Sequence, residues 1–516
     1  MNTSSALLLS RAQAQTSKTV EILPGVFQTT LGNPETITPV RARRYQPARD
    51  GLARLPVVRT CPLDTAQIVG QSSRRGYLLS LPLAPGELVY GFGLQLQSFM
   101  QRGLKKKLRV NADPKIDTGD SHAPVPFYVT TRGYGVLIDT ARYATFYCGN
   151  KDQRDASRTR KTSASQVSVG GSLPAAYSKF HVDEKSEMLI EVPEAQGADI
   201  YIFAGPDLRL AVQRYNLFSG GGALPPRWGL GFWYRCDLDF TQTDVLALAD
   251  QFRRDDVPCD VLGLEPGWQT HSYSCSYVWS DKFPNPAEML TRLAGSGYHL
   301  NLWEHAFTHP TSPLYQELKP LSGDFEVWDG LVPDFLDARA RERFAAFHER
   351  EHVKLGVSGY KLDECDNSDF TGNWSFPEIS RFPSGADGEQ MHCLFGRSYQ
   401  DTLQSIFDHR KTRTYQLVRS SGALAAPYPF VLYSDLYDHS EFIRGLANSS
   451  FSGLLWCPEV RDARDGEDLI RRLQTVVFSP LAMVNAWYIK HPPWKQVDAK
   501  KNNAGEFAPD WEHVEA

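Results

Sequence analysis

At 516 residues the chain exceeds what one hydrophobic core organises, so two or more domains are expected. With 41% hydrophobic and 22% charged residues it reads as globular rather than disordered. The net charge is −5, no basic block is longer than Lys105-Lys106-Lys107, and no apolar run reaches membrane-span length, which argues against a nucleic-acid partner and against a membrane helix.

The chain opens on Ser4-Ser5-Ala6-Leu7-Leu8-Leu9, which looks like an eroded signal segment. It lacks a basic start and its apolar stretch is short. Residues 1–25 are therefore read as a tail or degraded leader, compatible equally with export and with a cytoplasmic protein. From 26 to 222 short apolar runs (76–81, 88–90, 126–131, 135–138, 143–147, 200–203) alternate with Gly, Pro, Asp and Ser, the rhythm of a β-sandwich domain. A helix is expected over 207–215. Ser219-Gly220-Gly221-Gly222-Ala223-Leu224-Pro225-Pro226 then makes a domain joint. Eight cysteines are scattered without a C-x-x-C pair, so buried free thiols are expected rather than a zinc or redox motif.

Past Pro226 apolar strands alternate with amphipathic helices, which signals a parallel sheet with helical crossovers. Strands are predicted over 228–234, 260–264, 299–303, 359–362, 415–418, 430–433, 453–456 and 483–488, and helices over 243–253, 286–293, 339–351, 399–409, 442–446 and 467–478. Eight such units fit an α/β fold of the (β/α)8 TIM-barrel type over 223–516, preceded by the β-sandwich.

Catalytic groups of such barrels stand at the C-terminal ends of strands. There the sequence places Arg235 and Asp237, Glu265 and Trp268, Trp303 with Glu304 and His305, Lys361 and Asp363, Arg419, Asp435, and Trp456 with Glu459. In Gly359-Tyr360-Lys361-Leu362-Asp363, alternation puts Lys361 and Asp363 on one inward face. A lysine there favours an ionised carboxylate, as a covalent glycosyl-transfer mechanism needs. The other reading of the pair is a purely structural barrel ion pair. A second carboxyl group, Asp435, stands two strands on, placed to reach across the mouth. His305 and His309 flank a proline loop, so no metal site is expected, and a two-carboxylate mechanism requires no cofactor.

These residues resemble glycoside hydrolase family 31, which contains α-glucosidases, α-xylosidases and α-galactosidases. Val89-Tyr90-Gly91-Phe92-Gly93, Val125-Pro126-Phe127 with Gly133-Tyr134-Gly135-Val136, Pro226-Arg227-Trp228-Gly229-Leu230-Gly231-Phe232-Trp233 and Phe283-Pro284-Asn285-Pro286 match its motifs in order. The resemblance implies Asp363 as nucleophile and Asp435 as acid/base, with Asp438 as the rival. It also implies that His491, in His491-Pro492-Pro493-Trp494, lines the sugar site. Asp113 is either a loop residue projecting into the pocket or a surface turn. The family's L-D-I-D-Y segment reads Leu264-Glu265-Pro266-Gly267-Trp268 here, so glucose specificity does not carry over, and Glu265 with Trp268 would suit an axial hydroxyl. Relatives continue past the eighth strand into C-terminal β-domains, so either a short form or a truncated one is expected here. Asp366 and Asp369 read as loop carboxylates, and His392 as either a support for the site or an ordinary helix entry. The expected activity is retaining, exo-acting hydrolysis of terminal α-glucosides or α-galactosides in oligosaccharides or simple α-glycosides. Glu265, Trp268, Trp303, Glu304, Lys361, Arg419, Trp456, His491 and Asp113 are the expected sugar contacts. The alternatives are a transglycosylase with the same double displacement, and a degenerate barrel that binds sugar without turnover.

Overall fold

The computed structural model describes residues 18–112, 116–150, 186–367, 374–435, 438–461 and 466–486. Asp113, Asp369 and His491 lie outside them, as do residues 1–17; the tail expected over 1–25 ends earlier, because Val20–Leu23 already forms a strand. Among the described residues, eleven strands form two antiparallel sheets ahead of the barrel. One has the order β1 (Val20–Leu23), β2 (Val26–Asn33), β11 (Gln196–Ala204), β8 (Tyr134–Asp139), β7 (Pro124–Thr130), β5 (Val89–Gly93). The other runs β3 (Val69–Ser73), β4 (Gly76–Leu83), β10 (Ser186–Pro193), β9 (Thr145–Asn150), β6 (Lys105–Lys107).

Strand β10 shows why they pack face to face. Met188, Ile190 and Val192 alternate with more exposed neighbours and enter a core shared by both sheets. Strand β11 is buried almost throughout, because its other face is also covered. Helix α1 (Leu208–Ser219) lies there, with Tyr215 against Phe127 at 4.0 Å and Phe218 against Phe203 at 5.3 Å. In the Val89-Tyr90-Gly91-Phe92-Gly93 motif, Gly93 has φ +78° and a Cβ there would meet the Ala123 carbonyl, so only glycine fits.

The barrel follows. Its parallel strands are β12 (Phe232–Arg235), β13 (Cys259–Leu264), β14 (His299–His305), β17 (Val357–Asp363), β18 (Gln416–Val418), β19 (Phe430–Ser434), β20 (Leu455–Pro458) and β21 (Ala482–Asn485). β21 pairs with β12, and a parallel bridge between Val460 and Val484 brings the two ends of the sheet together. All eight predicted strands are present. Trp233, Val261, Leu417, Val431, Tyr433, Cys457 and Met483 fill the interior. The helices are α2 (Gln242–Arg254), α3 (Pro286–Gly295), α4 (Ala338–Glu351), α5 (Gly388–Arg410), α6 (His439–Phe451) and α7 (Gly466–Val476).

Two differences from the sequence reading have physical causes. Helix α5 begins at Gly388, not 399, because Asp387 and Gln390 form a capping box. Its buried Gln390, Arg397 and Gln400 break the apolar period that would have revealed its first half. The other is a hairpin, β15 (Ser322–Val327) and β16 (Gly330–Pro333), inserted between the third and fourth barrel strands. Trp328 and Asp329 at its turn both have positive φ, +49° and +58°, the demand of a tight two-residue hairpin.

The β-domain is bolted to the barrel by buried polar contacts. Asn448 of α6 donates to the carbonyls of Gln95 and Ser98 at 2.8 and 2.9 Å, and the Gly93 amide donates to Ser452 at 2.9 Å. Arg142 joins Glu35 at 2.8 Å and Asp387 at 2.6 Å. Asn448→Ala strips two carbonyls of their donor, so a stability loss of about 1–3 kcal/mol is expected in denaturant titration.

Candidate active site

Strand alternation decides what reaches the barrel interior. On β12 it is Trp233 and Arg235, on β14 Asn301 and Trp303, on β17 Lys361 and Asp363, on β19 Val431 and Tyr433, and on β21 Met483 and Asn485. Trp233, Val431 and Met483 lie lower. Above them Arg235, Glu265, Lys361 and Glu459 form a buried ring of two cations and two carboxylates. Arg235 Nε pairs with Glu265 Oε1. Lys361 Nζ lies 3.6 Å from the same oxygen and 2.8 Å from Glu459 Oε1. Asn301 accepts from Arg235 at 2.6 Å and Asn485 donates to Glu459 at 2.9 Å. Burial alone would lower the Lys361 pKa, but Glu265 and Glu459 outweigh it and the ammonium is held above its usual range.

This corrects one expectation. Lys361 shares the inward face with Asp363 but makes its ion pairs with Glu459 and Glu265, one layer below the mouth. The Asp363 carboxylate is oriented instead by two N–H donors, the Trp303 indole at 2.6 Å and the Glu364 amide at 2.9 Å. Glu265 is committed to the ring through one oxygen, while its Oε2 has no protein hydrogen-bond partner.

Aromatic side chains wall the Asp363 side of the mouth. Tyr273 lies 5.4 Å from Trp303, 5.6 Å from His305 and 5.0 Å from Trp328, and Trp374 packs on Trp328 at 5.1 Å. Burial lowers the His305 pKa to about 3, against the opposing pull of Asp363, so the imidazole is neutral. Tyr273 and Trp328 were missed in the sequence because they stand on loops rather than at strand ends.

Across the mouth, Asp435 follows β19. Arg419 Nη1 lies 3.3 Å and Arg461 Nη1 3.0 Å from its Oδ1, and Arg419 Nε also donates to Asp366 at 2.8 Å. Burial would raise the Asp435 pKa; the two guanidinium groups win and hold it below the usual carboxylate range. Glu364 goes the other way. Burial first, then the charges of Asp363 and Asp366, push it well above that range. The β-domain reaches this mouth as well. His122 lies 3.1 Å from Ser434, and the Asn367 amide donates to the Val110 carbonyl and to Tyr143, each at 3.3 Å.

Three expected sugar contacts point elsewhere. Glu304 is on the outward face of β14 and is fully buried against His348 and Tyr399. Trp456 is on the outward face of β20, where its indole donates to Ser434 at 3.0 Å and its ring packs on Phe442. Trp268 sits in a short turn folded back under the mouth, 1% exposed, donating to the Trp303 carbonyl at 2.6 Å. It supports Trp303 rather than facing the opening. Asp438 caps helix α6 through the Glu441 amide, which occupies its carboxylate. His392 stacks on Phe376 and bonds its carbonyl at 2.8 Å, a packing role. All eight cysteines are free thiols, as expected. No helix among the described residues is long and apolar enough to cross a membrane.

Residues 222–507 match the family model described as the glycosyl hydrolases family 31 TIM-barrel domain. An α-xylosidase of Lactiplantibacillus pentosus is 22% identical over 64% of this chain and 40% of its own length. An α-xylosidase of Emericella nidulans is 23% identical over 69% of this chain and 43% of its own. The chain thus spans about two-fifths of these curated relatives. Among solved structures, a Flavobacterium johnsoniae GH31 dextranase complexed with glucose superposes with TM-score 0.66 at 17% identity, over 81% of this chain and 52% of that one. A GH31 α-xylosidase from a soil metagenome, complexed with xylose, gives 0.63 at 17% identity, over 81% and 59%. These superpositions bear on the fold.

The charge ring generates a stability prediction. Lys361→Met leaves its carboxylates short of a cation and should cost about 3–5 kcal/mol. Lys361→Met combined with Glu459→Gln removes one charge of each sign and should recover part of that loss. Urea unfolding of the two variants beside wild type measures the difference.

Proposed function

This chain belongs to glycosyl hydrolase family 31, and on that premise we propose that it is a retaining, exo-acting hydrolase of terminal α-linked sugars. The observation that carries the reading is Asp363. It stands at the C-terminal end of the fourth barrel strand, aimed by Trp303 and its own loop, with Asp435 at the end of a strand two places round the mouth. In this mechanism Asp363 attacks the anomeric carbon and the glycosidic bond breaks as Asp435 protonates the departing oxygen. Asp435 then takes a proton from water, whose oxygen displaces Asp363 from the sugar.

Asp435 is preferred to Glu364 as acid/base because the two carboxyl groups must flank the scissile bond. Glu364 neighbours Asp363 in the chain, whereas Asp435 comes from a strand two places round the barrel. The guanidinium groups of Arg419 and Arg461 suit Asp435 to its base role, after Asp363 has been glycosylated and its charge is gone. The acid role then falls at the acidic side of the pH range. Tyr273 and Trp328 supply faces for a pyranose, with the fully buried Trp303 behind them aiming Asp363, and the β-domain loop at Val110 closes one side of the mouth, which suits a chain end. The sugar is proposed from α-glucosides and α-galactosides, with α-xylosides added by the names of the two curated relatives.

Asp363→Ala should lose several orders of magnitude in turnover of aryl α-glucoside, α-galactoside or α-xyloside while keeping the wild-type circular dichroism. Azide should rescue it to the β-glycosyl azide. Asp435→Ala should keep activity on substrates with activated leaving groups, and azide should give the α-product. Substantial activity in folded Asp363→Ala, or the leaving-group signature in Glu364→Gln instead of Asp435→Ala, would overturn the assignment.

The electrostatics give a pH prediction. Removing a cation from Asp435 raises its pKa, so the protonated acid survives to higher pH. The alkaline limb of kcat/KM should therefore move up in Arg461→Met, as a pH–rate series would reveal.

A further inference from the structure

Behind β14, away from the mouth, three potential metal ligands converge. Glu304, His348 and His352 each offer one ligand atom, all within 4.8 Å of one another, and all three residues are fully buried. The histidines come from His348-Glu349-Arg350-Glu351-His352 at the end of α4, four residues apart and so on one helix face. Glu304 comes from the outward face of β14.

The hydrogen inventory of this cluster is unusual. His348 Nδ1 lies 2.8 Å from the Phe344 carbonyl, which accepts only, so Nδ1 carries a hydrogen. A neutral ring then turns a bare Nε2 toward Glu304 Oε2 at 3.0 Å. Two lone pairs facing each other need a hydrogen or a cation between them. His352 repeats the pattern. Its Nε2 lies 3.0 Å from the Tyr277 carbonyl, which leaves Nδ1, 3.4 Å from the Tyr360 hydroxyl, as the lone-pair atom. Histidines that ligate metals hold their other N–H on a backbone carbonyl in this way. The remaining Glu304 oxygen accepts from Tyr399 at 2.6 Å, so the carboxylate is braced too.

We propose that Glu304, His348 and His352 form a closed structural site for a divalent transition metal of the zinc type. Two imidazole nitrogens and a carboxylate are a zinc donor set. Tetrahedral bond lengths near 2.0–2.1 Å put ligand atoms roughly 3.3 Å apart, so the 3.0 Å pair must open by a few tenths and the wider separations, within 4.8 Å, must close. The metal replaces the hydrogen between Nε2 and Oε2, which leaves as a proton. The site is not a protease centre despite its H-E-x-x-H spacing. Glu349 faces outward to Arg410 at 3.5 Å and His409 at 3.8 Å, and nothing in the cluster opens to solvent. The ion ties β14 to α4 directly behind Trp303, the residue that aims Asp363.

The test is metal content and spectroscopy of the purified full chain. Expressed with added zinc it should carry about one equivalent after desalting. Metal-stripped protein given Co2+ should develop the intense visible bands of tetrahedral cobalt, and chelation should lower the thermal midpoint. His352→Gln should lose the cobalt bands, whereas Asp363→Asn, which lies outside the cluster, should keep them. Wild type that is folded, binds zinc at well under one equivalent, gives only the weak spectrum of hydrated cobalt and melts unchanged with chelator would overturn the proposal, whether or not the variants fold. A cobalt signal that persists in folded His352→Gln would overturn it as well. None of these readouts depends on glycosidase activity.

Discussion

The interior of this barrel closes over charge. Arg235, Glu265, Lys361 and Glu459 meet with side chains no more than 3% exposed, two positive and two negative, and the arrangement is tolerable only because they neutralise one another. Each comes from a different strand or strand end, so the pairing fixes the relative height of those strands. Everything catalytic stands one residue pair above that level. Asp363 is two residues past Lys361 on the same face, and Trp303 is two past Asn301, which is itself bonded to Arg235. The mouth inherits its geometry from the ring beneath it.

The mouth is shared between two parts of the chain. His122 and Val110, from loops of the β-domain, touch Ser434 and Asn367, which lie one residue from Asp435 and four from Asp363. The docking contacts at Asn448, Ser452 and Arg142 therefore do more than hold two units together. They set the position of one wall of the site, and a shift there is transmitted to the loops that follow Asp363 and Asp435.

Much of this was legible in advance. The eight barrel strands stood out because buried parallel strands are continuous apolar runs bounded by turn residues. The inward pairing of Lys361 with Asp363 followed from period two. The errors came from applying that period unevenly. Trp303 and Glu304 are neighbours on β14 and cannot both face inward, and the same holds for Trp456 and Cys457 on β20. Trp268 misled because a 3-10 turn after β13 reverses its direction. Tyr273, Trp328 and Arg461 belong to loops, whose paths depend on long-range contacts that no local pattern reveals. The partners of Lys361 were hidden for the same reason, since Glu459 lies 98 residues away in sequence.

The hairpin β15–β16 has an evolutionary corollary. It forms its own two-stranded sheet outside the barrel's strand ladder, tied to the loop after β14 by a single bridge between Leu331 and Thr308, and its turn presents Trp328 to the aromatic wall. Lengthening, shortening or exchanging it would reshape the contact surface offered to a sugar without altering the register of any barrel strand. Changes at its turn can thus alter substrate preference while Val327, Leu331 and Val332 keep the hairpin anchored in the core and the carboxylates stay where they are.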